Sequence, residues 1–151
     1  MAQLDLKAIK KLRDETSASI ADCRRALEEA NGDEKKALEW LKKRASEIAA
    51  KKADRETSQG IIEAYIHGGG KVGVLVDLSC ETDFVAKTEE FKKLAKEIAM
   101  QVAAMDPKDV DDLLKQAYIR DAGQTIDSLI KDVIGKIGEN IAVKRFIRYE
   151  I

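Results

Sequence analysis

The sequence predicts an α+β protein in which an N-terminal three-helix module precedes a three-stranded antiparallel sheet packed with helices, in the core order ββααβ. Apolar residues first recur at helical spacing, from residue 5 to about residue 52. They alternate with polar residues after residue 60, return to helical spacing in two later segments, and alternate again at the end. These changes of period indicate two units, a helical module with its linker at 1–55 and a core at 56–151.

The helices of the module are predicted from apolar residues three and four positions apart. These residues are Leu6, Ile9 and Leu12, then Ile20, Cys23, Ala26 and Leu27, then Ala37, Leu38, Trp40, Leu41 and Ile48. Ser17 and Ser19 are suitable N-cap residues, and Asn31-Gly32-Asp33 combines a helix stop with a new cap. The polar, unpatterned stretch 51–58 reads as a linker.

The core begins with a predicted β-hairpin and continues into helices. Ile62, Ala64 and Ile66 alternate with polar residues, the glycines at 68–70 form the turn, and 72–78 returns as a strand. Helical spacing that includes Phe84 and Val85 predicts one long helix over 82–105, either continuous or with a short turn at its start. The same spacing predicts a second helix over 125–139.

The last stretch, 141–151, is predicted as the third strand. Strict alternation puts Ile141, Val143, Arg145, Ile147 and Tyr149 on one face and Phe146 on the other. A face built around Phe146 could meet its own copy, so we expect a homodimer.

Composition excludes several classes of function. Lys and Arg number 27 against 28 Asp and Glu, so a net charge of -1 argues against nucleic acid as a direct partner. A single histidine, His67, and the distant Cys23 and Cys80 make a metal site unexpected. No apolar run is long enough for a membrane span and residues 1–7 contain no signal-peptide core, so we expect a cytoplasmic protein without membrane contact.

Motif-like strings also fail to indicate an enzyme or a cofactor. Residues 68–73 match the spacing of a dinucleotide-binding loop, but such a loop opens a helix, whereas a strand follows here. His67 lies at the predicted hairpin tip without a nucleophile partner. Cys80 ends an apolar strand and is expected to be a small buried hydrophobe. We therefore expect a binding protein with no catalytic residues and no cofactor.

One segment, Thr82-Asp83-Phe84-Val85, stands where the second strand ends and a helix begins. Two interpretations are open. Thr82 or Asp83 could cap the helix while Phe84 packs inward. Alternatively, Phe84 could be an exposed apolar wedge for a partner, because aromatic residues are scarce in this chain and a strand-to-helix corner can present one.

These residues carry a resemblance to a known family. Glu81-Thr82-Asp83-Phe84-Val85, preceded by the hairpin 65–76, closely resembles the signature of the elongation factor Ts family, guanine-nucleotide exchange factors of elongation factor Tu. The stretch 12–33 resembles the family's N-terminal three-helix module, which is similar in fold to ubiquitin-associated domains. Residues 137–146 resemble its closing strand.

The resemblance implies roles for matching residues. Thr82 to Val85 would insert Phe84 between helices of the GTPase domain of elongation factor Tu, beside the nucleotide and Mg²⁺, and so promote GDP release. Leu12 and Ile20 would dock the module on the same domain, and His67 would contact the β-barrel region.

The sequence also departs from the family pattern. Thr16 to Ala21 lacks the glycines and methionines usual there, and most members carry a longer segment after Pro107. The chain carries one copy of the strand-helix core, which some members duplicate within one chain. Members with a single copy resemble ones that restore the second copy by dimerising. Two alternatives to exchange therefore stay open: a binder of elongation factor Tu without exchange activity, and a translation-associated RNA-binding protein.

Overall fold

The computed structural model describes residues 5–151 and confirms the α+β class, with helices packed on one face of a three-stranded antiparallel sheet. The elements are α1 (Leu6–Thr16), α2 (Ile20–Glu29), α3 (Glu34–Lys52), β1 (Gln59–His67), β2 (Val72–Cys80), α4 (Asp83–Ala86), α5 (Glu89–Met105), α6 (Val110–Lys115), β3 (Ala117–Tyr118), β4 (Asp121–Thr125), α7 (Ile126–Ile137) and β5 (Ile141–Glu150).

The module consists of α1, α2 and α3, as predicted, around its own apolar cluster. Ser19 caps α2 by accepting from the Asp22 N–H, and Asp33 caps α3 by accepting from the Lys35 and Lys36 N–H groups. Ser17 is not an N-cap: it ends α1 in the left-handed conformation, with φ 55°. Residues 1–4 of the predicted module lie outside the described residues, and the expectation drawn from residues 1–7 falls mostly on them.

The predicted hairpin is confirmed, and its three turn glycines, 68–70, all have positive φ. The Lys71 N–H donates to the His67 carbonyl at 3.1 Å and closes the loop. Gly60, near the start of β1, is required by packing, because a β-carbon there would lie 2.1 Å from the Leu78 carbonyl oxygen. The hairpin is therefore fixed by glycine at both ends.

The helical segment predicted over 82–105 begins with a separate short turn, which is the second of the two forms left open by the sequence. The chain forms the one-turn helix α4, and α5 then begins with its own cap, in which Thr88 accepts from the Phe91 N–H. Phe84 therefore leaves the apolar stripe of α5, which runs through Phe91, Leu94, Ile98 and Val102 into the main core. The second helix, predicted over 125–139, is α7, with Thr125 as its cap.

A small second hairpin, β3 and β4, was not predicted because its residues show no apolar alternation. The fully buried Gln101 of α5 holds β3 in place. Its amide donates to the Ala117 carbonyl and its oxygen accepts from the Ile119 N–H, both at 3.0 Å. A buried polar side chain satisfied in this way fixes the position of the hairpin on the helix.

The predicted faces of the last strand are wrong beyond Val143. Strand β5 pairs with β2 as expected, but a β-bulge interrupts the register, because Asp77 pairs with Arg145 whereas the next residue, Leu78, pairs with Val143. The bulge at Lys144 shifts the alternation by one residue. Phe146 therefore packs against the main core together with Ile141 and Val143 instead of facing outward.

Arg148 also lies on the core side of β5. Its Nε and Nη2 donate to the Ala103 carbonyl, at 3.2 and 3.1 Å, in the last turn of α5. A guanidinium in that position satisfies a free carbonyl and complements the negative end of the helix dipole. The opposite side of the sheet, which we call the outer face, carries Ile62, Ala64, Ile66, Gly73, Leu75, Ile147 and Tyr149, and its large apolar side chains are exposed.

A candidate partner-binding site

The candidate site is the Phe84 corner, which we define as residues 82–85 between β2 and α5. Thr82 is in extended conformation and its hydroxyl accepts from the Val85 N–H at 3.4 Å, so it caps the single turn of α4. Asp83 follows in the first turn and pairs with Lys87 at 3.1 Å across that turn. An extended cap residue followed by an acidic residue is a typical helix start.

Phe84 projects away from the protein. Its residue surface is 80% exposed, whereas Val85 packs partly against the main core and Ala86 is buried. The turn of α4 thus has one side attached to the core and the other side occupied by an aromatic ring in solvent. The alternative in which Phe84 packs inward is wrong, and an exposed phenylalanine on a fixed turn is a feature that protein interfaces use.

Cys80 lies directly before the corner and is buried without a disulfide partner. Its thiol donates to the Thr82 carbonyl at 3.1 Å. Burial, followed by the nearby Glu139 carboxylate, raises the pKa of this thiol, so it stays protonated at neutral pH. Cys80 is therefore a packing residue, as its sequence position predicted.

His67 lies at the opposite end of the sheet from the Phe84 corner. Strand β2 separates them, and its length corresponds to about 27 Å. The His67 ring stacks on Tyr65, with centroids 5.8 Å apart, and its Nδ1 lies 2.9 Å from the Tyr65 hydroxyl. The hairpin tip thus holds an exposed imidazole in a defined orientation.

The two module residues differ in accessibility. Leu12 is only 2% exposed and belongs to the apolar cluster of the module, so its side chain supports the module from within. Ile20 is 56% exposed in the first turn of α2. Residues 82–85 are adjacent in space, but Ile20 and His67 lie on other elements, so a partner that contacts all of them must cover a broad surface.

The outer face of the sheet is a further exposed apolar surface, which sequence reasoning did not identify. Its large members are Ile62, Ile66, Leu75, Ile147 and Tyr149, all substantially exposed. The signal in the sequence was the alternation of isoleucines in β1 and of apolar residues in β2, but the bulge at Lys144 concealed the contribution of β5. Neighbouring exposed apolar side chains of this kind are typical of interaction surfaces.

Within residues 5–151 the structure brings no three His, Cys, Asp or Glu side chains into an arrangement that could hold a metal ion. Over the same residues, none of the helices combines the length and the apolar character needed to cross a bilayer.

Comparison with known proteins relates this site to a family. The family model for elongation factor TS matches residues 81–151, a region that begins at Glu81, directly before the Phe84 corner. A protein of Nostoc sp. named elongation factor Ts is 45% identical over 151 residues, which are 100% of this chain but 48% of the relative. The chain therefore spans about half the length of that relative.

Other relatives match over nearly their whole length. An elongation factor Ts of Caldanaerobacter subterraneus is 40% identical over 97% of this chain and 96% of its own. One of Oleidesulfovibrio alaskensis is 39% identical over 100% of this chain and 99% of its own. With identities at this level along the whole sequence, the chain belongs to the elongation factor Ts family.

Proposed function

We propose that this protein is a guanine-nucleotide exchange factor that binds elongation factor Tu in its GDP-bound form and promotes GDP release during translation elongation. The observation that carries the proposal is the exposed Phe84 on the capped turn between β2 and α5, in a chain of the elongation factor Ts family. This role is one of protein binding, without a catalytic residue or a cofactor, and we place it in the cytoplasm.

The proposed mechanism uses Phe84 as an apolar wedge beside the nucleotide site. GDP is held by backbone amides around its phosphates and by Mg²⁺, which requires near-ideal oxygen geometry. A small displacement of the protein around the phosphates therefore weakens the whole site. Phe84 can act without touching the nucleotide, because its insertion between helices of the partner is sufficient to move them.

Thermodynamic linkage makes such a factor reversible. If its binding weakens the affinity for GDP, then GDP weakens the affinity for the factor by the same ratio. A new nucleotide can thus release the factor, and a small number of molecules can serve many partners. The exposed Ile20 and His67 supply additional contacts in this proposal, so that affinity does not depend on the Phe84 corner alone.

Release of labelled GDP from elongation factor Tu tests the proposed function directly. Accelerated release that depends on the concentration of this protein supports it. Release that stays at the spontaneous rate, at a protein concentration where binding is measured independently, contradicts it and favours the binder without exchange activity.

One observation favours that second candidate. The alignment with the Caldanaerobacter relative extends over 192 residues although this chain has 151, so the relative carries residues within the matched region that are missing here. The Nostoc alignment covers 151 residues and thus shows no net insertion. Loss of a segment that contributes to exchange would leave binding without GDP release.

We further propose that the protein forms a homodimer through the outer face of its sheet. The outer face replaces the dimer interface around Phe146 that the sequence predicted, because Phe146 packs against the main core. The outer face presents a set of exposed apolar side chains, with the ion pair of Asp77 and Arg145, 3.2 Å apart, on the same face. Two such faces stacked about a two-fold axis would bury both sets.

A further inference from the structure

Glu139, in the turn between α7 and β5, makes two hydrogen bonds to Thr82. The Thr82 N–H donates to Oε1 at 3.0 Å, and the Thr82 hydroxyl donates to Oε2 at 2.7 Å. The residues are far apart in sequence, and Gly138 brings them together by ending α7 in the left-handed conformation, with φ 81°. Bonds to an ionised carboxylate are about twice as strong as neutral ones.

The second of these bonds determines how Thr82 caps α4. A hydroxyl has a single proton, and here that proton points at Glu139. The lone pairs of the oxygen are therefore directed to the Val85 N–H, which is the cap contact of α4. Glu139 thus acts on the Phe84 corner through the orientation of one hydroxyl.

A reciprocal contact joins the same two segments. The Glu81 carboxylate accepts from the Asn140 N–H at 2.8 Å. Each segment therefore has one glutamate that accepts a hydrogen bond from a backbone N–H of the other segment. The side chain of Asn140 donates to the Arg55 carbonyl, also at 2.8 Å, and Arg55 lies 3.6 Å from Glu81. The corner is therefore connected to the turn after α7 and to the linker.

This support matters because α4 has only one turn. A helix of four residues, Asp83–Ala86, is far too short to be stable by itself. Ala86 is buried and Val85 packs partly against the main core, so apolar contacts hold one side of the turn but leave Phe84 in solvent. Phe84 can transmit force to a partner only if its backbone resists displacement, and the contacts to Glu139 and Asn140 supply that resistance.

We propose that Glu139 is a positioning residue that fixes the Phe84 corner in the shape needed for nucleotide exchange. The inference rests on the proposed function, because it assigns to Glu139 a part in the action of Phe84. It predicts that loss of Glu139 lowers the rate of GDP release by the bound complex more than it lowers binding, since Ile20 lies on α2 and His67 at the opposite end of the sheet, and neither takes part in the Glu139–Thr82 contact.

The experiment measures GDP release from elongation factor Tu over a range of concentrations of the full chain. It compares wild type with Glu139→Ala, with the conservative Glu139→Gln, and with Val133→Ala. Val133 is buried on α7 and serves as the control for a simple loss of stability. Thermal unfolding of each variant shows whether Glu139→Ala and Val133→Ala are destabilised to a similar extent.

We expect the maximal rate with Glu139→Ala to fall about tenfold, equivalent to ~1.4 kcal/mol, while the half-saturating concentration changes little. Glu139→Gln keeps one acceptor for the Thr82 N–H, so its maximal rate should lie between those of wild type and Glu139→Ala. Val133→Ala should retain its maximal rate. If Glu139→Ala does not fold, a lower maximal rate with Glu139→Gln is sufficient to support the inference.

A wild-type maximal rate in both Glu139 variants would overturn the inference. An equal loss of rate in Val133→Ala would do the same, because it would assign the effect to stability. Phe84→Ala is measured in parallel to distinguish failure of the wedge role of Phe84 from failure of the positioning role of Glu139. If Phe84→Ala is defective and Glu139→Ala is not, only the positioning role fails, whereas normal release with Phe84→Ala removes the proposed wedge itself.

Discussion

Gly135 of α7 lies against Ala45 of α3 so closely that a β-carbon on the glycine would be 2.8 Å from the β-carbon of Ala45 and 3.0 Å from its Cα. Ala49, also on α3, is buried in the main core. Helix α3 therefore belongs to the module at its start and covers the core at its end. The module is held to the core by helix packing in addition to the linker.

Substitution of Gly135 by alanine should destabilise the protein by about 1–3 kcal/mol, because overpacking exceeds the gain in helix propensity of up to ~1 kcal/mol. Thermal or urea unfolding measures the change. The double variant Ala45→Gly/Gly135→Ala should recover part of the loss, since it removes the opposing methyl group. Unchanged stability of Gly135→Ala would show that α3 and α7 separate easily.

Removal of residues 1–55 should leave a folded core that binds elongation factor Tu more weakly. The core keeps its own apolar cluster apart from Ala49, but it loses the cover that α3 provides over α7. We therefore expect a cooperative thermal transition at a lower midpoint. A fragment 56–151 without a cooperative transition would mean that the two predicted units fold as one.

Stability above pH 10 should depend on Tyr118. Burial, followed by its hydrogen bond to Glu97 and repulsion from that carboxylate, raises the pKa of Tyr118 to about 12. An unfolded tyrosine titrates near pH 10, so the folded state keeps a proton that the unfolded state has lost. The contribution is complete below about pH 10 and is lost as the pH rises through the folded pKa.

The expected size of this loss is about 2 kcal/mol between pH 10 and 12. Lysines also titrate there, so the measurement is the difference between wild type and Tyr118→Phe in urea unfolding at each pH. The wild type should lose its advantage over the variant as the pH rises. A constant difference would contradict the raised pKa.

Sedimentation equilibrium tests the proposed homodimer. At micromolar concentration the wild type should approach twice the monomer mass of 16.8 kDa, with a dependence on concentration. Leu75→Glu should be monomeric, because it places a charge in the centre of the outer face. Ile119→Glu, at an exposed apolar residue outside this sheet, is the control and should dimerise. A wild type that stays at the monomer mass excludes the dimer.

Periodicity predicted the elements that bury a regular stripe or face: the three module helices, the hairpin, α7 and β5. It failed where local geometry overrides the pattern. Strict alternation in β5 places Arg145 among the apolar residues of one face, and the bulge at Lys144 that changes this assignment became visible only through the pairing with β2. Phe84 fits the spacing of α5 and yet lies on a separate turn, because Thr88 starts a new helix.

The residues of the candidate site also differ in whether the sequence could identify them. Residues 82–85 were found because a cap residue and an aromatic side chain meet at a strand end. Glu139 was not found, since its contact with Thr82 connects segments that only the fold brings together. Its sole signal was its place in the stretch 137–146, which resembles the family. Leu12 was assigned to a surface on resemblance, whereas its spacing in α1 is that of a core residue.

The exposure of Phe84 allows its role to be tested without loss of the fold. Truncation of a side chain that is 80% exposed should change stability little. Met105, exposed at the far end of α5, about 24 Å along the helix from its start, provides a matched removal of apolar surface as the control Met105→Ala.

The most direct measurement is the rate of labelled GDP release from elongation factor Tu with wild type, Phe84→Ala and Met105→Ala at equal concentrations. An interface aromatic contributes about 2 kcal/mol or more, and each ~1.4 kcal/mol is tenfold in rate. We predict that Phe84→Ala loses more than about tenfold, with an unchanged circular dichroism spectrum, while Met105→Ala matches wild type. Release with Phe84→Ala at the wild-type rate would contradict the wedge.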